Sequence, residues 1–382
     1  MYDCTFQRTL YNEFRQAIEM THPTNTLTTN ARQPEPRGLS LGTLLICFGG
    51  VYLLSAGALR FLGRPAAVPW GFVPYLLLIA LPVSLATASA LAFLPRLAHL
   101  EPIPPSWRLP CIAAGLTLTY WSGHFLVWIS AAVALGIVTL QHWNRDRLAT
   151  AALAAITVTL GYGCVWNANY LLAVTVNSRL HDAVFVGMDA KLLGREYNQL
   201  FPLWTDNSVY KLLENSYAML FPQVIAVVLV VSTTHPRRTV AGYIRVLFTA
   251  YAIGLAIFAV FPAVGPPIYI PTAFRSEFSD TFTANLMRAM ATEYHQLQQG
   301  GKLNGFGYFV AFPSLHVAAA VILQRCMRQA PLLYWTWAPV TCLLILSTVV
   351  LGYHYLLDVP AGFLLGFLLC KYLPDSNNTY PS

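Results

Sequence analysis

Apolar runs about as long as a membrane crossing recur along the chain, at 39–59, 70–94, 112–140, 149–172, 216–232, 243–264, 314–327, 332–352 and 359–373. A helix of about 20 apolar residues spans a hydrocarbon core. The runs therefore predict an all-α, polytopic transmembrane helical bundle of nine spans, or ten if the long third run is two. Only 10% of the 382 residues are charged, against about a quarter in a soluble domain. The first run follows 38 polar, Pro- and Thr-containing residues, which predicts a retained anchor rather than a cleaved signal peptide.

Lys and Arg counts in short loops orient such a bundle. Under nine spans, one face carries 60–69, 141–148, 233–245, 325–331 and the C-terminal tail, with ten basic residues when Lys371 at the end of the last run is included and only Asp146 and Asp375 as acids. The other carries 1–38, 95–108, 173–215 and 265–312, with thirteen basic residues among thirteen acids and Asp358 at a span boundary. The first face, with the C-terminus, is expected to be cytoplasmic and the second extracytoplasmic or lumenal. The net charge of +7 thus follows from topology. The basic residues stand singly or in pairs at helix ends, without a basic run or motif, so no nucleic-acid partner is expected. The seven cysteines lie mostly inside apolar runs, with no C-x-x-C pair, and read as small buried hydrophobes.

Two loops on the second face are longer than connectors need to be. The loop 173–215 contains "LHDAVFVGMDAKLLG" (180–194), where Leu180, Val184, Met188 and Leu192 recur at helical spacing before Gly194. This predicts an amphipathic helix at the interface. The loop 265–312 runs from "FPAVGPPIYIP" (261–271) to "AFPSLHVAAA" (311–320).

His316 starts one apolar run, and "GYHYLLDVPAG" (352–362) follows 38 residues later, between the last two runs. Two crossings and a tight turn use about that many residues at a rise of about 1.5 Å each, so both motifs are expected on one face. His354 and Asp358, four apart, share one side of a helical turn. A carboxylate on one ring nitrogen fixes a His tautomer and makes the imidazole a better base or nucleophile, and a second His is free to act as general acid. Two imidazoles and one carboxylate, with no metal-ligand cluster, suit phosphoryl transfer through a phosphohistidine. No metal and no cofactor is expected.

"PSLH" (313–316) and "YHYLLDV" (353–359) resemble the second and third motifs of the type-2 phosphatidic acid phosphatase superfamily. They are most similar to its inositol phosphorylceramide synthase branch, with F-P-S-L-H and H-Y-x-x-D. "FPAVGPP" and "HDAVFVGMDAKLLG" resemble elements of that branch, and the similarity covers roughly residues 165–373. The resemblance implies that His354 attacks phosphorus, Asp358 orients it and His316 protonates the leaving oxygen. It also implies membrane-lipid partners, a phospholipid donor and a ceramide or other lipid acceptor, with a lipid phosphatase as the alternative activity. The division that follows is a polar tail (1–38), accessory helices (39–148), a catalytic transmembrane domain (149–373) and a C-terminal tail (374–382). The phosphatases usually carry S-R-x5-H, whereas this chain has Ser347-Thr348 before His354 and lacks K-x6-R-P. Both departures fit the synthase branch and leave open which cation holds phosphate.

Ser314, Lys302, Thr348, Tyr353 and Asn215 are further candidates for binding substrate, Lys302 because its flanking glycines let backbone approach a ligand. Arg275, Arg288 and His295 are weaker sources of the missing cation, and Tyr217, on the same face as Asn215, is a candidate pocket residue that reads first as an interfacial anchor. Phe306, Tyr308, Phe312, Tyr353 and Tyr355 flank the motifs as belt residues or a lipid entrance. "WSGH" (121–124) mimics the second motif but has no H-x3-D about forty residues on. A transporter would bury ionisable groups at mid-membrane or pair broken helices; here the polar cluster gathers at one face, which favours an enzyme.

Overall fold

The computed structural model describes residues 40–64, 66, 105–121, 145–176, 179–194, 208–271, 281–301 and 307–374, and all regular structure among them is helical. In chain order the helices are α1 (Leu41–Phe61), α2 (Pro105–Trp121), α3 (Arg145–Val176), α4 (Asp182–Leu193), α5 (Ser208–Ala218) and α6 (Leu220–Thr234). There follow α7 (Arg237–Val260), α8 (Pro266–Tyr269), α9 (Phe282–Gln299), α10 (Leu315–Cys326), α11 (Pro331–Val350) and α12 (Asp358–Leu369). The run at 70–94 and most of that at 112–140 lie outside the described residues. Four described helices are long and apolar enough to cross a membrane: α1, α3 over Ala149–Val176, α7, and α11 over Leu333–Val350. The pair α5 and α6, bent by 43°, makes a fifth if taken as one span.

α3, 32 residues long, is the post around which the others gather, with α1, α6 and α7 packed along it. Gly161 lets the Phe248 ring lie against its backbone, where a Cβ would collide with that ring. At the start of both helices Arg237 Nε donates to Thr150 Oγ1 at 3.0 Å, and further along the Tyr162 and Tyr251 hydroxyls lie 3.3 Å apart, so α3 and α7 run parallel.

α1 also runs parallel to α3. Cys164 Sγ meets Phe48 O at 3.0 Å and Asn167 Nδ2 donates to Ser55 Oγ at 3.3 Å. Just past α1 the Arg64 guanidinium lies beside Gly300, where a Cβ would come within 3.0 Å of it. Gln298 Nε2, two residues earlier, reaches Ala173 O near the end of α3. This corrects the nine-span assignment of loops: residues around 64 sit at the same end as 300, not at the opposite one. The ten-span alternative, with the long third run taken as two, puts them at that end.

α10 and α12 have 12 residues each, about 18 Å of helix, well under the roughly 30 Å of a hydrocarbon core. α10 is buried inside the bundle, among α6, α7, α11 and α12. Gly362 and Gly366, one turn apart on α12, lie directly against the backbone of Ser314 and Ala318 on α10. This small-residue seam gives the close backbone approach that helix pairs in membranes use.

Candidate active site

The polar end of the seam gathers the two motifs. Ser314 caps α10, its Oγ accepting from Val317 N at 3.3 Å, so His316 sits in the first helical turn. The Ser314 N–H donates to Asp358 O at 3.1 Å, tying the start of α10 to the start of α12. His354 stands in the turn between α11 and α12, its N–H donating to Thr348 O at 2.9 Å. Asp358 Oδ2 accepts from Tyr355 N at 2.9 Å and from His354 Nδ1 at 3.2 Å.

The hydrogen-bond partners dictate the ring tautomers. His354 Nδ1 faces two acceptors, Asp358 Oδ2 and, at 3.0 Å, Ala311 O, so it carries the proton and Nε2 keeps its lone pair. That Nε2 lies 3.5 Å from His316 Nδ1, which is therefore the donor. His316 Nε2 accepts from the Tyr217 hydroxyl at 3.2 Å. The result is one polarised chain, Tyr217 to His316 to His354 to Asp358. Burial pushes the His354 imidazole down to about 4, against a smaller raising effect of the Ala311 carbonyl, so the ring is neutral at physiological pH.

Beside His316 opens a cavity of about 150 Å³ lined mainly by aromatic and aliphatic side chains, among them Tyr162, Trp166, Tyr217, Tyr251, Leu286 and Tyr308. His316 lines it, His354 does not, and no Lys or Arg among the described residues does. Phe282, Leu286 and Met290, at one-turn spacing on α9, form one wall.

The other predicted site residues divide. Tyr353 is buried and stacks on Tyr217 with ring centres 3.9 Å apart. Thr348 is buried, but its hydroxyl donates to Ile345 O in its own helix, and its carbonyl is what holds His354. Asn215 is half-buried on α5, two residues before Tyr217. Lys302, Arg275 and Phe306 lie outside the described residues, as do positions 122–124 of "WSGH". Arg288 and His295 are exposed on α9. Tyr217, read from sequence as an anchor, instead touches His316.

Several buried polar residues went unmarked in the sequence reading. Asp182 Oδ1 accepts from the Tyr355 hydroxyl and from Gly265 N, both at 2.8 Å, and Asp189 Oδ2 accepts from Leu356 N at 2.9 Å. Glu293 accepts from the Tyr170 hydroxyl at 2.6 Å and from Gly307 N at 3.0 Å, and Asn169 holds Gly307 O and Phe309 N. Glu293 and Asn169 thus fix the backbone that leads to Pro313, while Asp182 and Asp189 hold the Pro-rich segment and the turn after His354. Their partners lie 14 to 173 residues away in sequence, so none forms a local pattern.

No match was found among curated proteins or among solved structures. The sequence model of the PAP2 superfamily, the type-2 phosphatidic acid phosphatases, matches residues 197–371, a stretch that contains Tyr217, His316, His354 and Asp358.

Proposed function

We propose that this chain is an integral-membrane lipid phosphotransferase that works through a phosphohistidine at His354. The observation that carries this reading is the chain from Asp358 through His354 to His316 beside an apolar cavity. The match to the PAP2 superfamily supports phosphate-ester chemistry. In the first half-reaction His354 Nε2 forms a bond to phosphorus while the P–O bond to the leaving alcohol breaks, and that oxygen takes a proton from His316, which enters the step as the imidazolium and leaves it as the neutral ring. In the second, an acceptor alcohol gives its proton to His316, its oxygen bonds to phosphorus and the P–N bond breaks. Reacting atoms approach to about 3–3.5 Å, and His316 Nδ1 lies 3.5 Å from His354 Nε2, where phosphorus must come. Substrate entry therefore turns His316 aside.

An apolar cavity on the His316 side is where a leaving or accepting alcohol with a hydrocarbon body belongs, which favours transfer between lipids over release to water. The F-P-S-L-H and H-Y-x-x-D forms support the inositol phosphorylceramide synthase-like branch, with a phosphoinositol headgroup moved to ceramide or a similar lipid. With α1 parallel to α3, an odd number of crossings separates them, and ten spans satisfy this where nine do not. Ten spans leave fourteen basic and seven acidic residues on one side and nine of each on the other, so the whole excess lies opposite the motifs. The site then faces away from the cytoplasm, and the C-terminus faces it. Labelled phosphatidylinositol offered to purified protein tests the reading: a labelled product that forms only with ceramide is expected, and absence of any headgroup release with or without an acceptor would overturn it.

A further inference from the structure

α4 carries two faces of opposite character. Val184, Met188 and Leu192, one turn apart, are 50%, 41% and 62% exposed, while Asp182, Phe185 and Asp189 on the other side are buried. All three buried residues meet one turn. Asp182 takes the Tyr355 hydroxyl, Phe185 stacks on the Tyr355 ring with centres 5.3 Å apart, and Asp189 takes the Leu356 N–H. Asp182 also accepts from Val264 and Gly265, binding the Pro-rich segment to the same helix. Tyr355 and Leu356 are two of the three residues between His354 and Asp358, and the Tyr355 N–H itself donates to the Asp358 carboxylate.

Two buried carboxylates are an expensive way to hold a loop. Burying a charged group without full pairing costs several kcal/mol, and Asp189 Oδ1 has no hydrogen-bond partner among the described residues. An apolar side chain would pack there at less cost, so what the carboxylates supply is directional: acceptors that fix the backbone of 355 and 356. The tolerance is narrow, because His354 Nδ1 must reach both Ala311 O and Asp358 Oδ2 for Nε2 to point at phosphorus.

We infer that α4 is the positioning element of the catalytic turn, with Asp182 and Asp189 as positioning residues that act on His354 through Tyr355 and Leu356. This rests on the reading of His354 as nucleophile. In purified full-length protein, Asp189→Ala is expected to lower kcat about a hundredfold, the cost of misplacing a reacting group by about 1 Å, with KM little changed. Asp189→Asn keeps an oxygen for the Leu356 N–H and is expected to restore most of kcat. Tyr355→Phe removes one hydroxyl without opening the core and is expected to cost about five- to tenfold in kcat, the worth of one hydrogen bond, so a poorly folding Asp189→Ala does not stop the test. A folded Asp189→Ala or a Tyr355→Phe with wild-type kcat would overturn the inference alone, as would an Asp189→Asn as impaired as Asp189→Ala. A wild-type protein that turns over no lipid phosphate ester would overturn the functional reading and this inference with it.

Discussion

Asp358 decides what His354 is able to do. With its carboxylate on Nδ1 the ring presents a lone pair at Nε2; an amide in its place is able to turn its NH2 toward the ring and select the other tautomer. Asp358→Asn is expected to fold yet lose about 10⁴ in kcat, as carboxylate-to-amide changes behind a catalytic His do, measured by headgroup release at saturating lipid. His316→Ala is expected to spare formation of a labelled phosphoenzyme when the leaving group is a good one, since only protonation of the leaving oxygen is lost. Burial holds His354 neutral down to about pH 4, whereas an unfolded His takes its proton near pH 6.5. Below about 6.5 the unfolded chain thus binds more protons, so the contribution of this ring to stability is full above that pH and fades as pH falls toward 4. Thermal midpoints recorded from pH 7 to 5 are expected to fall less steeply in His354→Gln than in the wild type; equal slopes would contradict a buried neutral ring. The trio itself was legible in the sequence, because two motifs 38 residues apart and an i, i+4 pair obey simple helical arithmetic. Asp182, Asp189 and Glu293 were not, because each finds its partner through tertiary structure alone. For Tyr217 the sequence left both readings open, because a belt tyrosine and a tyrosine touching a histidine look alike in one dimension.

At the scale of elements, periodicity served well where one face differs from the other. The spacing of Val184, Met188 and Leu192 located α4, and Gly194, at φ 64°, ends it as read. Its exposed stripe, Val184, Met188 and Leu192, is apolar, and its buried face holds Asp182, Phe185 and Asp189. The apolar runs 314–327 and 359–373 located α10 and α12, which end in 3₁₀ turns at Met327–Gln329 and Cys370–Tyr372; counting each run as a full crossing did not anticipate helices of 12 residues. What sets these two helices is the seam of Gly362 and Gly366 against Ser314 and Ala318. A Cβ on Gly366 would lie 2.7 Å from Ala318 O, and backbone gives way only if the helices part. Gly366→Val is expected to destabilise the protein by about 1–3 kcal/mol or more and to separate His316 from Asp358. It should lower both the thermal midpoint and turnover, and an unchanged midpoint would contradict the close packing.

For the molecule as a whole, hydropathy marked the membrane class and the apolar runs, while the direction of each crossing depended on contacts that composition does not encode. The meeting of Arg64 with Gly300 reversed the side assigned to the loop after α1. In a cysteine-free background, Arg64→Cys and Gln299→Cys are expected to react alike with an impermeant thiol reagent in intact cells, and Arg237→Cys to resist it. Opposite labelling of the first two would contradict the parallel pairing of α1 and α3. The central claim is narrower than topology: phosphorus passes through His354. Purified protein given phospholipid labelled at phosphorus, quenched within a turnover and kept alkaline, is expected to hold a label that is stable to base, labile to acid, located on His354 by peptide mapping and absent from His354→Gln. Turnover by His354→Gln, or a wild-type label on any other residue, would contradict it.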